Sequence, residues 1–413
     1  MLQYYRENHQ QSNIAGSRNL TDNIDKIKNT ISTSEIIECA SPEIRSSVLN
    51  DLYSIANFLP DKNLTPNESW KRFCHTCERF YVAQKSITGD KSERLTRKVS
   101  ISDAGITMTF TIGDVVINTI STAIPEDESG QRCIEGLNLA GMDLTGIDLS
   151  NMVLRNVNFN GSILRNADFS GTICEGVDFT DCDLRYTIFI DASLEKIDFR
   201  KVRHLLNINF TNANLRNSNF SGKVLTGVNF TGSDRSNAYL AHIDFTKVIF
   251  FPSLIIGAAF DYSNLSEKNL SDKDLTNISC MYTNFTNANL TKCKLLNTNF
   301  SAAKLDNTNF TGTEGSNILF NHAWLFNTIF IDTIFKNACF FNAKVNNVSL
   351  KNAYLYNDNI NKKANDSTDK QAKNSTEQQD STSFNEARLK KEVNSSFSIP
   401  GLTSYQPTYI VDE

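Results

Sequence analysis

Thiols and imidazoles at close spacing are the residues most able to do chemistry, and this chain holds Cys74-His75-Thr76-Cys77. Such a pair could bind a metal ion or cycle between thiol and disulfide. A zinc site needs four ligands, and no second Cys or His pair lies nearby in the sequence. A redox pair needs a thioredoxin-like setting, which the flanking residues do not supply. Both thiols fall on the apolar face of a helical pattern, so packing is the expected role. The five histidines, His9, His75, His204, His242 and His322, form no metal or triad spacing. Phosphate-loop, GxSxG and HExxH motifs are absent. Carboxylates recur at Asp143, Asp148, Asp168, Asp178, Asp183 and Asp198, but they recur with a period, which repetition explains better than acid–base pairing does. The expectation is a protein that is not an enzyme, with no catalytic residue, metal or cofactor.

What positions these residues is a repeat. Every fifth residue from Leu139 to Phe199 is apolar, as in Leu139, Leu144, Leu149, Leu154 and Phe159. The frame then slips by one, restarts at Phe210, and runs through Leu215 and Phe220 to Leu355 and Ile360. Only Arg235 and Gly315 put a clearly unsuitable residue at the apolar position. A period of 5 fits neither a helix nor a strand and marks a repeat architecture. Two residues before each central Leu or Phe sits a small or β-branched residue, such as Ala167, Thr187, Ala213 or Ala303. One before it sits Asp or Asn, one after it often Ser or Thr, and then Gly or Asn. Ala167-Asp168-Phe169-Ser170-Gly171 spells out a unit.

This resembles the pentapeptide-repeat family, whose motif is A(D/N)LXX. The resemblance implies a mainly β fold: a right-handed quadrilateral β-helix with four pentapeptides per coil, here about 11 coils. Packing logic agrees, because four walls meeting around a narrow interior leave room for one large side chain per unit. Stacked at strand spacing, such coils make a rod roughly 50 Å long. Residues 20 apart should form ladders, with Phe159, Phe179 and Phe199 in one, Phe169 and Phe189 opposite, and Asn269, Asn289 and Asn309 on an outer wall. Cys174, Cys182, Cys280 and Cys293 fall on inward positions and read as core residues rather than disulfide partners. The odd count of nine cysteines and the placement of these four point to a reducing compartment.

Around the rod, the expected divisions are a polar, disordered terminus over 1–20, a small α+β domain over 21–122, a linker over 123–133, the repeats over 134–360 and a mostly disordered tail over 361–413. The terminus is no Sec signal peptide and has the composition of a type III secretion signal. Ile24, Ile27 and Ile31 start a helical stripe. Ser41-Pro42-Glu43 and Thr65-Pro66-Asn67-Glu68 are helix starts. The second helix would bury Trp70, Phe73, Cys74, Cys77 and Tyr81. Ile106, Met108, Phe110 and Ile112 alternate with threonines as a strand does, and Gly113-Asp114 turns it back. Such a domain could dock on the first coil and cover its open sheet edge.

Two surface features stand out. The frame slip carries Arg200, Lys201 and Arg203, where one residue must bulge, and it reads either as a tolerated insertion on a solvated corner or as a recognition loop. Outward apolar residues, rare elsewhere, gather around Pro252 (Phe251, Leu254) and in the last coils: Trp324, Phe326, Ile331, Ile334, Phe341, Tyr354 and Tyr356. Contiguous exposed apolar surface marks a contact site, here for a protein partner or for a capping tail.

The net charge of −5 singles out neither nucleic acid nor an acidic membrane, and no apolar run is long enough for a transmembrane helix. Peripheral membrane association and the oligomeric state stay open. An N-terminal domain, a long rod and a short tail resemble the secreted pentapeptide-repeat effectors of bacterial pathogens. That implies a protein-interaction scaffold that reaches a host cell by a signal-peptide-independent route and binds a host protein or membrane-associated partner. Otherwise the chain works in the bacterial cytoplasm. Two alternatives remain. One is the recognition module of a ubiquitin-ligase-like effector, although no folded lobe is expected after residue 360. The other is a gyrase-interacting DNA mimic. Residues 134–200 hold 11 acidic and 5 basic side chains, but 134–360 hold 21 and 19, which is far from the strong acidity of a mimic.

Overall fold

The computed structural model describes residues 29, 41–59, 61, 63–87, 95–248 and 254–356. The expected disordered terminus, the Ile24 stripe, Phe251 and the tail over 361–413 lie outside the described residues. The chain is mainly β, a solenoid of about 11 turns with a small helical and β part ahead of it. It divides into two units, Met1–Asn214 and Leu215–Glu413.

The first unit begins with two helices, α1 (Pro42–Ala56) and α2 (Pro66–Ser86). Each starts where its cap dictates. Ser41 Oγ accepts the Ile44 amide at 3.3 Å, while Thr65 and Glu68 form a reciprocal capping box. Val48, Leu52 and Ile55 of α1 are buried, as are Trp70, Phe73, Cys77, Phe80 and Ala83 of α2. Phe80, rather than the expected Tyr81, points fully into the core, because Tyr81 turns to the guanidinium of Arg97, 5.2 Å from its ring centroid. Strands β1 (Leu95–Ser102), β2 (Gly105–Ile112) and β3 (Val115–Thr122) form an antiparallel meander. Ile106, Met108, Phe110 and Ile112 face the helices, and Phe110 meets Phe80 at 4.9 Å. On the other face hydroxyls pair across strands, Thr107 with Ser121 at 2.8 Å and Thr109 with Thr119 at 3.2 Å.

Residues 123–133 form a folded turn, where a plain linker was expected. Ile124 is buried, Glu126 pairs with Arg132, and Asp127 Oδ1 accepts the amides of Ser129 and Gln131. The solenoid starts at β4 (Cys133–Glu135), which pairs in parallel with β5 (Val153–Arg155), and β5 with β6 (Ile173–Glu175). Partners are 20 residues apart, so each turn holds four pentapeptides.

Each position in the pentapeptide has a physical job. The central Leu or Phe is buried. Rings one turn apart stack, Phe159 on Phe179 at 5.5 Å and 4°, and Phe169 on Phe189 at 4.9 Å, while the two ladders meet edge to face. The preceding Asp or Asn accepts the amide two residues on, as from Asp143 to Thr145 at 3.1 Å and from Asn158 to Asn160 at 2.9 Å, an Asx turn that bends the chain. The residue two after the centre takes positive φ, as at Asn151 and Asp181, which explains the Asn and Gly there. The small inward residue, when Thr or Cys, often bonds the carbonyl 23 residues back, as from Thr187 to Leu164 at 2.9 Å and from Cys182 to Phe159 at 2.9 Å, while Thr172 and Thr333 bond the carbonyl three back. Among the described residues the buried cysteines form no disulfide.

The domain ahead of the solenoid docks on its first turn. In the coils, amides of Gly136, Leu139 and Gly141 donate to the carbonyls of Arg155, Asn158 and Asn160. The equivalent carbonyls one turn earlier belong to Glu135, Asn138 and Ala140. Their donors come from the α+β part: Trp70 Nε1 to Glu135 at 2.9 Å, and the Arg97 guanidinium to Asn138 at 3.0 Å and Ala140 at 2.5 Å. The expected edge cover is thus made by two side chains rather than by a strand.

The frame slip is a short 3₁₀ turn at Phe199–Lys201, where Asp198 accepts the Arg200 amide. The amides of Arg203 and His204 then share one acceptor, the Cys182 carbonyl, as in a bulge. Inside, Phe210 still stacks on Phe189 at 5.4 Å and 12°.

The second unit repeats the same coil. Two parallel sheets run up its end. One joins β7 (Lys294–Leu296), β8 (Glu314–Ser316), β10 (Ile334–Lys336) and β12 (Tyr354–Tyr356); the other joins β9 (Trp324–Phe326) and β11 (Lys344–Asn346). The two irregular centres have local reasons. A Cβ on Gly315 would lie 2.5 Å from the Leu295 oxygen and 2.8 Å from Ile318 Cδ1, because Ile318 fills the interior in its place. Arg235 is fully buried with its guanidinium 4.1 Å from the Phe230 centroid, and burial pulls its pKa well down.

Candidate interaction surface

The thiol pair on α2 is held in packing. Cys77 is buried, and Cys74 Sγ lies 3.7 Å from the Glu135 carbonyl. Burial, reinforced by the Glu135 charge, pushes the Cys74 thiol up to about 12, and burial likewise raises Cys77. The coil thiols Cys174, Cys182 and Cys293 are also pushed up to about 12 by burial. Among the described residues no group of His, Cys, Asp and Glu could hold a metal ion, and no helix is long and apolar enough to cross a membrane.

Several charges of the first turns are paired. Arg200 holds Asp198 through two hydrogen bonds, at 3.0 and 2.9 Å, while Lys201 and Arg203 are exposed beside it. Arg155 pairs with Glu175 at 2.9 Å, and Asp183 sits between Arg165 (2.7 Å) and Arg185 (2.6 Å). Burial would raise the Asp183 carboxyl, but the two guanidinium hydrogen bonds win and hold it well below the usual carboxylate range.

The outward apolar residues of the last turns were expected as one patch. The structure divides them. Trp324, 42 % exposed, and the half-buried Phe326 lie on β9, with ring centroids 6.1 Å apart. Lys344 of the neighbouring β11 reaches over Trp324, 4.4 Å from its centroid. Phe341 joins this side through the corner residue His322, whose ring meets it edge to face at 5.7 Å. Ile334 and Tyr354 pair on β10 and β12, in the other sheet. They stand half a turn from Trp324, since 334 − 324 is 10 residues of a 20-residue turn. Ile331 is half-buried. Tyr356 belongs to β12 by its backbone, and its side chain is outside what is described. Leu254 is exposed and bridges Asp234.

One feature was missed in sequence. His242, Tyr262 and Tyr282 occupy the same corner on successive turns, and their rings stack at 4.8 Å, tilted by 2° and 6°. The signal was available as three rings at 20-residue spacing in a position most often filled by Asn or Gly. Beneath Tyr262, the buried Asp261 carboxyl accepts from Ser279 Oγ at 2.6 Å and the Met281 amide at 2.7 Å. Burial raises its pKa, with those bonds acting against the rise.

Residues 152–234 match the family model for the pentapeptide repeat region, and residues 283–314 the one for pentapeptide repeats in eight copies. The solenoid is a pentapeptide-repeat β-helix. Solved structures similar to this β-helix include HetL, a pentapeptide repeat protein involved in heterocyst differentiation regulation from the cyanobacterium Nostoc sp. strain PCC 7120, at 24 % identity over 55 % of this chain and 90 % of that one, TM-score 0.19. Full-length QnrB1, a plasmid-mediated fluoroquinolone resistance protein, is 18 % identical over 56 % of this chain and 96 % of its own, TM-score 0.19. Rfr23 from the cyanobacterium Cyanothece 51142 is 18 % identical over 40 % and 86 %, TM-score 0.19. No curated protein matches the chain by sequence.

Proposed function

We propose that the chain is a non-catalytic protein-interaction scaffold whose β-helix presents aromatic side chains on its outer walls to a protein partner. One observation carries this reading. Trp324 and Phe326 stand outside a strand whose inward residue, Leu325, is already fully buried, so the coil does not need them for its own core. Aromatic residues of this kind dominate binding energy at protein contacts. Replacing both, Trp324→Ala with Phe326→Ala, should leave circular dichroism and melting of the protein unchanged and lose a partner retrieved by wild type from host lysate. Identical retrieval by both proteins would remove this wall from the reading.

The finer reading is a secreted bacterial effector, delivered by a signal-peptide-independent route, that acts on a protein or membrane-associated partner in a host cell. Its support is the order of parts, an α+β domain ahead of a long β-helix. The test is export of residues 1–125 fused to a reporter through a type III system; a reporter retained in the bacterium would sink it. The DNA-mimic alternative is disfavoured by Arg155, Arg165, Arg185 and Arg200, which pair with the acidic groups of the first turns and break up the negative surface that a mimic needs.

A further inference from the structure

One corner of the second unit runs, one residue per turn, through His242, Tyr262, Tyr282, Ala302, His322 and Asn342, all at φ between 54° and 59°. The first three rings stack at 4.8 Å, which equals the rise between neighbouring strands. The column is therefore in register with the coil, one ring per turn, until Ala302 interrupts it. The Tyr282 ring, whose residue is 53 % exposed, is stacked on one side only by Tyr262, and next to it lies a cavity of about 370 Å³ lined by Tyr282, Ala302, Lys304 and Trp324. The following corner ring, His322, turns aside to meet Phe341.

We infer that this slot receives an aromatic side chain of a partner protein, carried beside an acidic residue. A ring laid over Ala302 continues the column on Tyr282 at the spacing the coil already imposes, with Trp324 at its side. Stacked and edge-on aromatic contacts of this kind are favourable beyond their buried area. The acidic neighbour follows from charge. Lys304 borders the slot, and Lys344 stands over Trp324. Asp306 lies 3.7 Å from Lys304 and offsets part of that charge. Further along the same wall come Asn284, Asn264 and Asp244, which add no cation. Two ammonium groups with one carboxylate suit a single acidic residue next to a ring. They do not suit the run of phosphates that a nucleic acid presents, which needs a track of cations.

This inference rests on the scaffold reading and is tested separately from it. The chain has two tryptophans, and Trp70 is only 5 % exposed, so a change in emission on adding a ligand reports Trp324. The full chain is titrated with N-acetyl-Glu-Phe-Glu-amide, with the same peptide carrying Leu for Phe or Lys for Glu, and with oligo(dT). The Glu-Phe-Glu peptide is expected to saturate, and the Leu and Lys peptides to bind at least tenfold more weakly. Ala302→Tyr fills the slot with the chain's own ring in a backbone conformation that Tyr262 and Tyr282 already adopt. It should weaken the peptide at least tenfold, whereas Ala302→Asn, the residue most used at these corners, should keep it. Equal binding of the Phe and Leu peptides to wild type, a comparison that needs no variant, overturns the slot, as does unchanged binding by a folded Ala302→Tyr protein or tighter binding of oligo(dT). In lysate pull-downs, a partner kept by Ala302→Tyr but lost by Trp324→Ala with Phe326→Ala removes the slot and leaves the scaffold. A partner kept by both variants removes both.

Discussion

The first turns of the β-helix and the last are alike inside and unlike outside. Phe159 on Phe179 and Phe320 on Phe340 are the same stacked pair, at 5.5 and 4.8 Å and within 7° of parallel. On the outer walls, the early turns carry Asp and Glu paired with Arg, as at Arg155–Glu175 and Arg165–Asp183–Arg185. The later turns carry Trp324, Ile334 and Tyr354, exposed, and a corner of stacked rings. In a solenoid each turn is stabilised by its neighbours, and the interior alone meets that need. The walls are therefore free to differ, and a difference there speaks of function rather than of folding.

Three measurements sharpen or break this contrast, beginning with the largest effect. Phe179→Ala and Phe320→Ala each remove a fully packed ring and should cost about 3–5 kcal/mol, read from urea unfolding. A much smaller cost in the last turns would show that the interiors are not equivalent. Next, Arg97→Met leaves the Asn138 and Ala140 carbonyls without their side-chain donor at the entry to the coil. It should cost about 2–4 kcal/mol, since each buried acceptor left unmet costs about 1–3 kcal/mol. A variant as stable as wild type would mean that the α+β domain does not cap the first turn. The smallest effect lies on the walls. Asp181→Asn and Trp324→Ala should each stay within about 0.5 kcal/mol, and a loss from Trp324→Ala approaching that of Phe320→Ala would place Trp324 in the fold's own core.

Much of the fold was legible because a coil of identical units writes its period into the chain. The inward series, the 20-residue ladders and the residue that must bulge near Arg200 could all be read from spacing. The role of Asp or Asn before each centre could not, since its Asx turn appears only as a bond to the amide two residues on. Arg235 and Gly315 looked like faults in the pattern. Their accommodation depends on neighbours a turn or a few residues away, Phe230 beside the guanidinium and Ile318 in the space that Gly315 leaves.

The surface divides in the same way. Alternation along the chain determined that Trp324, Ile334 and Tyr354 point outward, because side-chain direction follows from the local backbone. Which of them share a wall was decided by the square closure of the coil, which sets residues ten apart on different sheets and residues 20 apart side by side. That closure separates Trp324 from Ile334 and assembles His242, Tyr262 and Tyr282 into one column. Docking of the α+β part brings Arg97 and Trp70, distant in sequence, onto the carbonyls of the first turn. Local preference suffices for the coil, whereas contacts between turns exist only once the chain has wound.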